Sequence, residues 1–228
     1  MKNILITGGN RGIGKGLVEI FSKDNKVFFS ARDKQKAESV LSSIVTENID
    51  YVIMDVESED SVFEGIQILK EKVSSIDILI NNAGILIPGL KHKIAAIETD
   101  DDSILKTFNV NTIGVLRVCK AVLPIMPRHS RIINISSGMG QMNGMSTGSI
   151  AYRLSKSALN ALTIVLSQEL SGKKIKVNAI CPGWVQTDMG GYDATLTVKE
   201  SVESIKNFAL NDNFPNGKFL RHGEILPW

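Results

Sequence analysis

Short apolar runs alternate with longer amphipathic segments along almost the whole chain. The runs are "NILIT" (3–7), "KVFFSA" (26–31), "YVIMDV" (51–56), "IDILINNAG" (76–84), "RIINIS" (131–136) and "KIKVNAICPG" (174–183). Between them lie segments with helical spacing. Leu17, Ile20 and Phe21 mark one face of "GKGLVEIFSK", and Val62, Phe63, Ile66 and Leu69 mark one face of "EDSVFEGIQILKEKV". Helices are also expected over 33–45, 101–124, 151–170 and 198–210. A strand that is apolar on both sides needs cover on both sides. The pattern therefore predicts an α/β fold built on a parallel sheet between two helix layers. Right-handed crossovers make that sheet doubly wound and put ligands outside the carboxyl ends of its strands.

The 228 residues suit one such domain, 1–228. A net charge of +2 without any basic block gives no reason to expect nucleic acid or an anionic membrane as partner. No apolar run is expected to span a membrane. Gly8, Gly9 and Arg11 interrupt the apolar start before it could form a secretory core. The two cysteines, Cys119 and Cys181, show no metal spacing and read as buried, reduced thiols of a cytoplasmic protein.

The turn after the first strand, "TGGNRGIGKG", is one residue short of a triphosphate loop: Gly16 stands where that loop needs Ser or Thr. The dinucleotide pattern G-x-G-x-x-G fails as well, because from Gly12 its last glycine falls on Leu17. What remains is T-G-x-x-x-G-x-G, Thr7 to Gly14, a strand-to-helix turn whose amides favour an anion.

Four more motifs follow in order. "NNAG" (81–84) closes the fourth strand and "ISS" (135–137) the fifth. Tyr152 and Lys156 stand as Y-x-x-x-K on the next helix, and "CPG" (181–183) closes the sixth strand. Each is weak alone. As an ordered set they resemble the short-chain dehydrogenase/reductase family over nearly the whole chain. "SARD", "YRLSKSALNAL", "CPGWVQTDM" and "GEILPW" look like its carbonyl reductase branch.

The resemblance implies a single-domain Rossmann fold with a mostly parallel, seven-stranded sheet. It also implies hydride transfer between NADP(H) and a small-molecule carbonyl or alcohol. Tyr152 would be the acid/base. Lys156, one helical turn on, would lower its pKa towards the working range. Ser137 would hold the substrate oxygen, and Asn111, in "FNVNTIG", would hold a water that links Lys156 to solvent. Thr7 would brace the glycine turn. Gly8, Gly12 and Gly14 would let the pyrophosphate approach, Asn10, Arg11 and Ile13 of the same turn would also contact the cofactor, and Asp55 and Val56 would flank the adenine. Asn82, Ala83 and Gly84 would line the trough, with Pro182, Gly183, Val185 and Thr187 around the nicotinamide. Where NAD-preferring relatives carry an acid, this chain has Ala31 followed by Arg32, while Asp33 starts the next helix. Arg32 with Arg11 therefore suits a 2′-phosphate and NADP(H).

Other readings compete. "GMSTG" (144–148) spells the hydrolase elbow G-x-S-x-G, but Ser146 is expected in a loop, and that elbow needs a strand-to-helix turn. His92, His129 and His222 form no metal constellation. A non-enzymatic NADP(H)-binding sensor on the same fold is the alternative. Met139, Met142, Met145, Trp184, Met189 and Tyr192 are candidates for an apolar substrate pocket. The helices over 101–124 and 151–170, by which many relatives pair, suggest a homodimer.

Overall fold

The computed structural model describes residues 1–87 and 95–228. One sheet has the strand order β3-β2-β1-β4-β5-β6-β7-β8. Its strands are β1 Asn3–Ile6, β2 Lys26–Ala31, β3 Ile49–Ile53, β4 Ile78–Asn81, β5 Arg131–Ile135, β6 Lys176–Ile180, β7 Phe219–Arg221 and β8 Glu224–Leu226. All neighbours run parallel except β7 and β8. The fold is Rossmann-like, with eight strands rather than seven. The extra strand is the tail, which folds back over His222 and Gly223. Both have positive φ, 50° and 86°, as a two-residue hairpin turn requires. Three residues after such a turn, Glu224, Ile225 and Leu226, are too few to show strand periodicity, so β8 was hidden in the sequence.

The helices α1 Gly12–Phe21, α2 Lys34–Ser43 and α7 Val198–Leu210 cover one face. The other face is covered by α3 Glu59–Lys72, α5 Gly114–Val122 and α6 Ile150–Glu169, with α4 Asp101–Phe108 packed beside α6. Ile4, Leu5 and Ile6, and likewise Ile78, Leu79 and Ile80, are completely buried, as residues of a doubly covered strand should be. Asp33 caps α2 by accepting the Lys36 N–H, and Ser58 caps α3 by accepting the Ser61 N–H. On α3, Val62, Ile66 and Leu69 face the sheet, but Phe63 is 60% exposed. It lies beyond the stripe that Gly65 completes by approaching Met54 closely.

Gly16 has a packing reason. A Cβ there would lie 2.5 Å from Cγ1 of Val198, where α1 meets α7. The position that resembled a lost magnesium ligand is a helix–helix contact.

The expected long helix is not uniform. Between α4 and α5 the chain makes a π turn, Asn109–Ile113, and after α5 a 3-10 turn, Leu123–Ile125. The whole path, Asp101–Ile125, is long and apolar enough to cross a membrane by length and composition, contrary to expectation. Here Val110, Val115, Val118 and Val122 are buried in the sheet-facing core.

Candidate active site

The strand order reverses at β1, which has β2 on one side and β4 on the other. A crevice opens there, as doubly wound sheets require. It continues past the ends of β5 and β6 as one cavity of about 1120 Å³.

Thr7 and Asn82 tie the two strand ends together. Thr7 Oγ1 accepts the N–H groups of Asn82 and Ala83, both at 3.0 Å. Asn82 Nδ2 donates to the carbonyls of Thr7 and Gly8 at 2.9 and 3.1 Å. Thr7 is buried and does not reach the cavity; it braces the turn from below. Gly8, Asn10, Arg11, Gly12, Ile13 and Gly14 line the cavity. A Cβ on Gly14 would lie 2.1 Å from the Gly8 carbonyl oxygen, so only glycine lets α1 start this close to the turn. Arg11 occupies the N-cap position and makes no side-chain cap, which leaves the first N–H groups of α1 for an anion. The cradle fits a pyrophosphate.

Ala31 and Arg32 at the end of β2 also line the cavity, with Asp55 and Val56 beside them. Arg32 approaches Asp55 at 3.8 Å. The expected pairing of Arg11 with Arg32 is modified, because Arg11 Nη1 is held at 3.2 Å by Asp188 from the loop after β6. Lys36, in the first turn of α2, lines the same end. It had no motif to mark it, because it looked like one more solvated lysine of that helix. Asn82, Ala83 and Gly84 line the middle of the cavity, and Pro182, Gly183 and Val185 line the far end, while Thr187 reaches back to the glycine turn, its Cγ2 3.3 Å from where a Cβ on Gly12 would lie.

Ser137, Tyr152 and Lys156 meet at that far end. Of the two serines after β5, Ser136 is buried and its hydroxyl donates to Asn160 Oδ1 at 2.6 Å. Ser137 Oγ accepts the Met139 N–H at 3.1 Å and hydrogen-bonds Tyr152, which favours the phenolate. Burial outweighs that bond and pushes the Tyr152 phenol up to about 12. Lys156 was expected to bring it down. Its Nζ instead stands over the ring, 5.6 Å from the centroid, and donates to the Ile135 carbonyl at 2.7 Å. Its charge is aimed at the strand end rather than at the phenol oxygen. Burial also lowers Lys156 itself, to about 8.

Asn111 lies behind the cavity wall rather than on it. Its Oδ1 accepts the Ile85 N–H at 2.8 Å, and its Nδ2 donates to Ile85 O and Ser155 Oγ. A Cβ on Gly84 would lie 3.1 Å from Asn111 Oδ1 and 3.7 Å from Lys156 Nζ, so the two groups surround one glycine. The π turn brings Asn111 there, and π turns inside helices recur at functional sites.

Two expectations are corrected at the substrate end. Cys181 is buried and reduced, but it is no bystander: it lines the cavity, and its Sγ accepts the Gly138 N–H at 3.2 Å and Arg221 Nε at 3.3 Å. Met139, Trp184 and Met189 line the cavity, whereas Met142, Met145 and Tyr192 face outward, Tyr192 completely. Arg221 and His222 line it too, brought there by the β7–β8 hairpin that sequence periodicity did not show.

Ser146 is exposed in a loop well after β5, without the strand-to-helix turn of a hydrolase elbow. His92 lies outside the described residues. Among the described residues no group of His, Cys, Asp or Glu could hold a metal.

Comparison with known proteins agrees with this geometry. The family model described as short chain dehydrogenase matches residues 2–195. The oxidoreductase UcpA of Escherichia coli strain K12 is 35% identical over 208 residues, 90% of this chain and 77% of its own. The 3-oxoacyl-[acyl-carrier-protein] reductase FabG of Thermotoga maritima is 33% identical over 98% of this chain and 87% of its own. The NADPH-bound carbonyl reductase from chicken fatty liver superposes with a TM-score of 0.89 at 30% identity, covering 100% of this chain and 99% of that one.

Proposed function

The chain belongs to the short-chain dehydrogenase/reductase family and is an NAD(P)-binding oxidoreductase; from that premise we propose that it reduces a carbonyl group to an alcohol with NADPH. One observation carries the reading: the glycine turn, Ala31 and Arg32 at the end of β2, and the Ser137–Tyr152–Lys156 group line a single cavity. The solved carbonyl reductase with NADPH bound, similar over the whole chain, supports it.

When bound, the cofactor supplies the hydride. The pyrophosphate would rest on the first amides of α1 and the 2′-phosphate beside Arg32 and Lys36. Ser137 donates to the substrate oxygen and holds it beside Tyr152. Tyr152 gives that oxygen its proton, and a phenol held at about 12 is protonated and ready at neutral pH. Lys156, lowered to about 8, is close enough to neutrality to pass protons on. Asn111 holds the backbone of Ile85 against Ser155, on the helix turn between Tyr152 and Lys156.

The test is a panel of aldehydes, ketones and quinones, following loss of reduced-nicotinamide absorbance. Turnover with NADPH is the expected result. A chain that binds NADPH tightly but oxidises it with no carbonyl would be the non-enzymatic sensor instead.

Cofactor choice is tested separately. Arg32 is well exposed and already faces Asp55, so its contribution is screened. Arg32→Ala is expected to weaken NADPH binding about tenfold and leave NADH almost unchanged, the lower end for a hydrogen bond to a charged group. Dissociation constants of both cofactors check this; a native chain that binds NADH as tightly as NADPH would overturn the assignment.

We also propose a homodimer. Leu105 on α4, Ile113 in the π turn, and Leu154 and Val165 on α6 are exposed apolar residues on the helices involved. Light scattering is expected to give twice the mass of the 228-residue chain; a monomer at high concentration would refute it.

A further inference from the structure

Arg221 has no part in the chemistry above, yet it lies in the same cavity as Ser137 and Tyr152. The β7–β8 hairpin delivers it to the substrate end. Its Nε donates to Cys181 Sγ at 3.3 Å, which fixes the guanidinium against the end of β6. A Cβ on Gly138 would lie 2.2 Å from Arg221 Nη2, so the terminal nitrogens pack against the residue that follows Ser137. The glycine leaves room for them there.

Among the described residues Arg221 is in no ion pair. Glu224, its register partner across the hairpin, makes none with it. The stretch 88–94, "PGLKHKI", contains no carboxylate side chain. The acids that line the cavity stand at other points and are engaged. Asp33 caps α2, Asp55 faces Arg32 and accepts the Glu57 N–H, and Asp188 holds Arg11. The Tyr152 end thus holds Lys156 and Arg221, with His222 beside Gly183, and none of the three lining carboxylates, Asp33, Asp55 and Asp188, pairs with Arg221. A guanidinium with one edge fixed and its terminal N–H groups open matches the paired oxygens of a carboxylate.

We propose that Arg221 binds a carboxylate of the substrate, so that the carbonyl compounds this enzyme reduces are oxo acids rather than neutral aldehydes or ketones. Met139, Trp184 and Met189 provide the apolar wall for the rest of the molecule. The proposal rests on the carbonyl reductase reading, and its test separates the two.

The probes are 2-, 3- and 4-oxopentanoate and the methyl ester of each, with NADPH. In the native enzyme, kcat/KM for at least one oxo acid is expected to exceed that of its ester about ten- to a hundredfold, the range for a charge-assisted hydrogen bond. Arg221→Gln should collapse that acid-to-ester ratio, mainly through KM, and Arg221→Lys should restore part of it. Esters reduced as well as every acid, or acid and ester lowered alike by Arg221→Gln, would overturn the role of Arg221 and leave carbonyl reduction standing. If neither acids nor esters are turned over, calorimetric titration of the same probes into the NADPH-saturated protein decides. Tighter binding of an acid than its ester, lost in Arg221→Gln, supports the carboxylate site; equal binding rejects it.

Discussion

Tyr152→Phe is expected to lower turnover about 10²–10⁴-fold, the usual worth of a positioned general acid, while NADPH affinity hardly changes. The substitution removes one oxygen and almost no volume. The ring, with Lys156 above it at 5.6 Å, keeps its packing. Steady-state rates and a fluorescence titration of the cofactor test the two halves independently. Near-native turnover in the Phe variant would take the acid role away from Tyr152. The direction of reaction adds a second readout. Reduction needs the protonated phenol, which a phenol at about 12 supplies across the neutral range. Alcohol oxidation needs the phenolate, so the oxidative rate should climb with pH where the reductive rate does not.

Whether a feature is legible in the residues depends on whether it is local. The strand runs were legible because a doubly covered strand needs apolar side chains on both faces. Asp33 was legible as a helix start because capping involves only the next turn. The ordered motifs around Ser137, Tyr152 and Lys156 were legible for the same reason, since each belongs to one strand end or one helix. Long-range features were not. Lys36 and Arg221 enter the cavity only because β2 and β7 end beside it, and no spacing announces that; "CPG" marked the end of β6, but not that the Cys181 thiol holds Arg221. Gly16 looked like a damaged ligand until α7 was seen to lie against it. Asn111 was named by its motif, but the π turn that carries it is tied to Ile85 and Ser155, far away in sequence. The electrostatics were the least legible. Helical spacing placed Lys156 near Tyr152, but only the position of the Ile135 carbonyl decides where the ammonium points.

Lys156→Met is expected to reduce turnover by 10²-fold or more and to weaken cofactor binding, because it removes a cation that stands over Tyr152 and lines the cavity that would hold the cofactor. Methionine keeps the reach of the side chain and its apolar stem. The same variant tests the buried charge by a measurement that needs no substrate. The folded chain holds Lys156 near 8, below its ordinary value of 10.5, because burial penalises the ammonium. Between those two values the unfolded chain binds a proton that the folded chain does not, so native stability from this group rises with pH at about 1.4 kcal/mol per unit. It is fully present above 10.5 and lost as pH falls through 8. Tyr152 and Cys119 are both pushed up to about 12 and act in the opposite sense in alkali, but they are common to both proteins. The lost hydrogen bond to Ile135 adds a constant offset to the variant, so only the change of the difference with pH reports the titration of the lysine. Denaturant unfolding at pH 7, 8, 9 and 10 therefore isolates the lysine. Native stability relative to Lys156→Met should be flat up to about pH 8 and then increase by roughly 3 kcal/mol in total across the window. A difference that stays constant from pH 7 to 10 would mean that Lys156 is as well solvated in the fold as outside it, and the proton path through it would have to be abandoned.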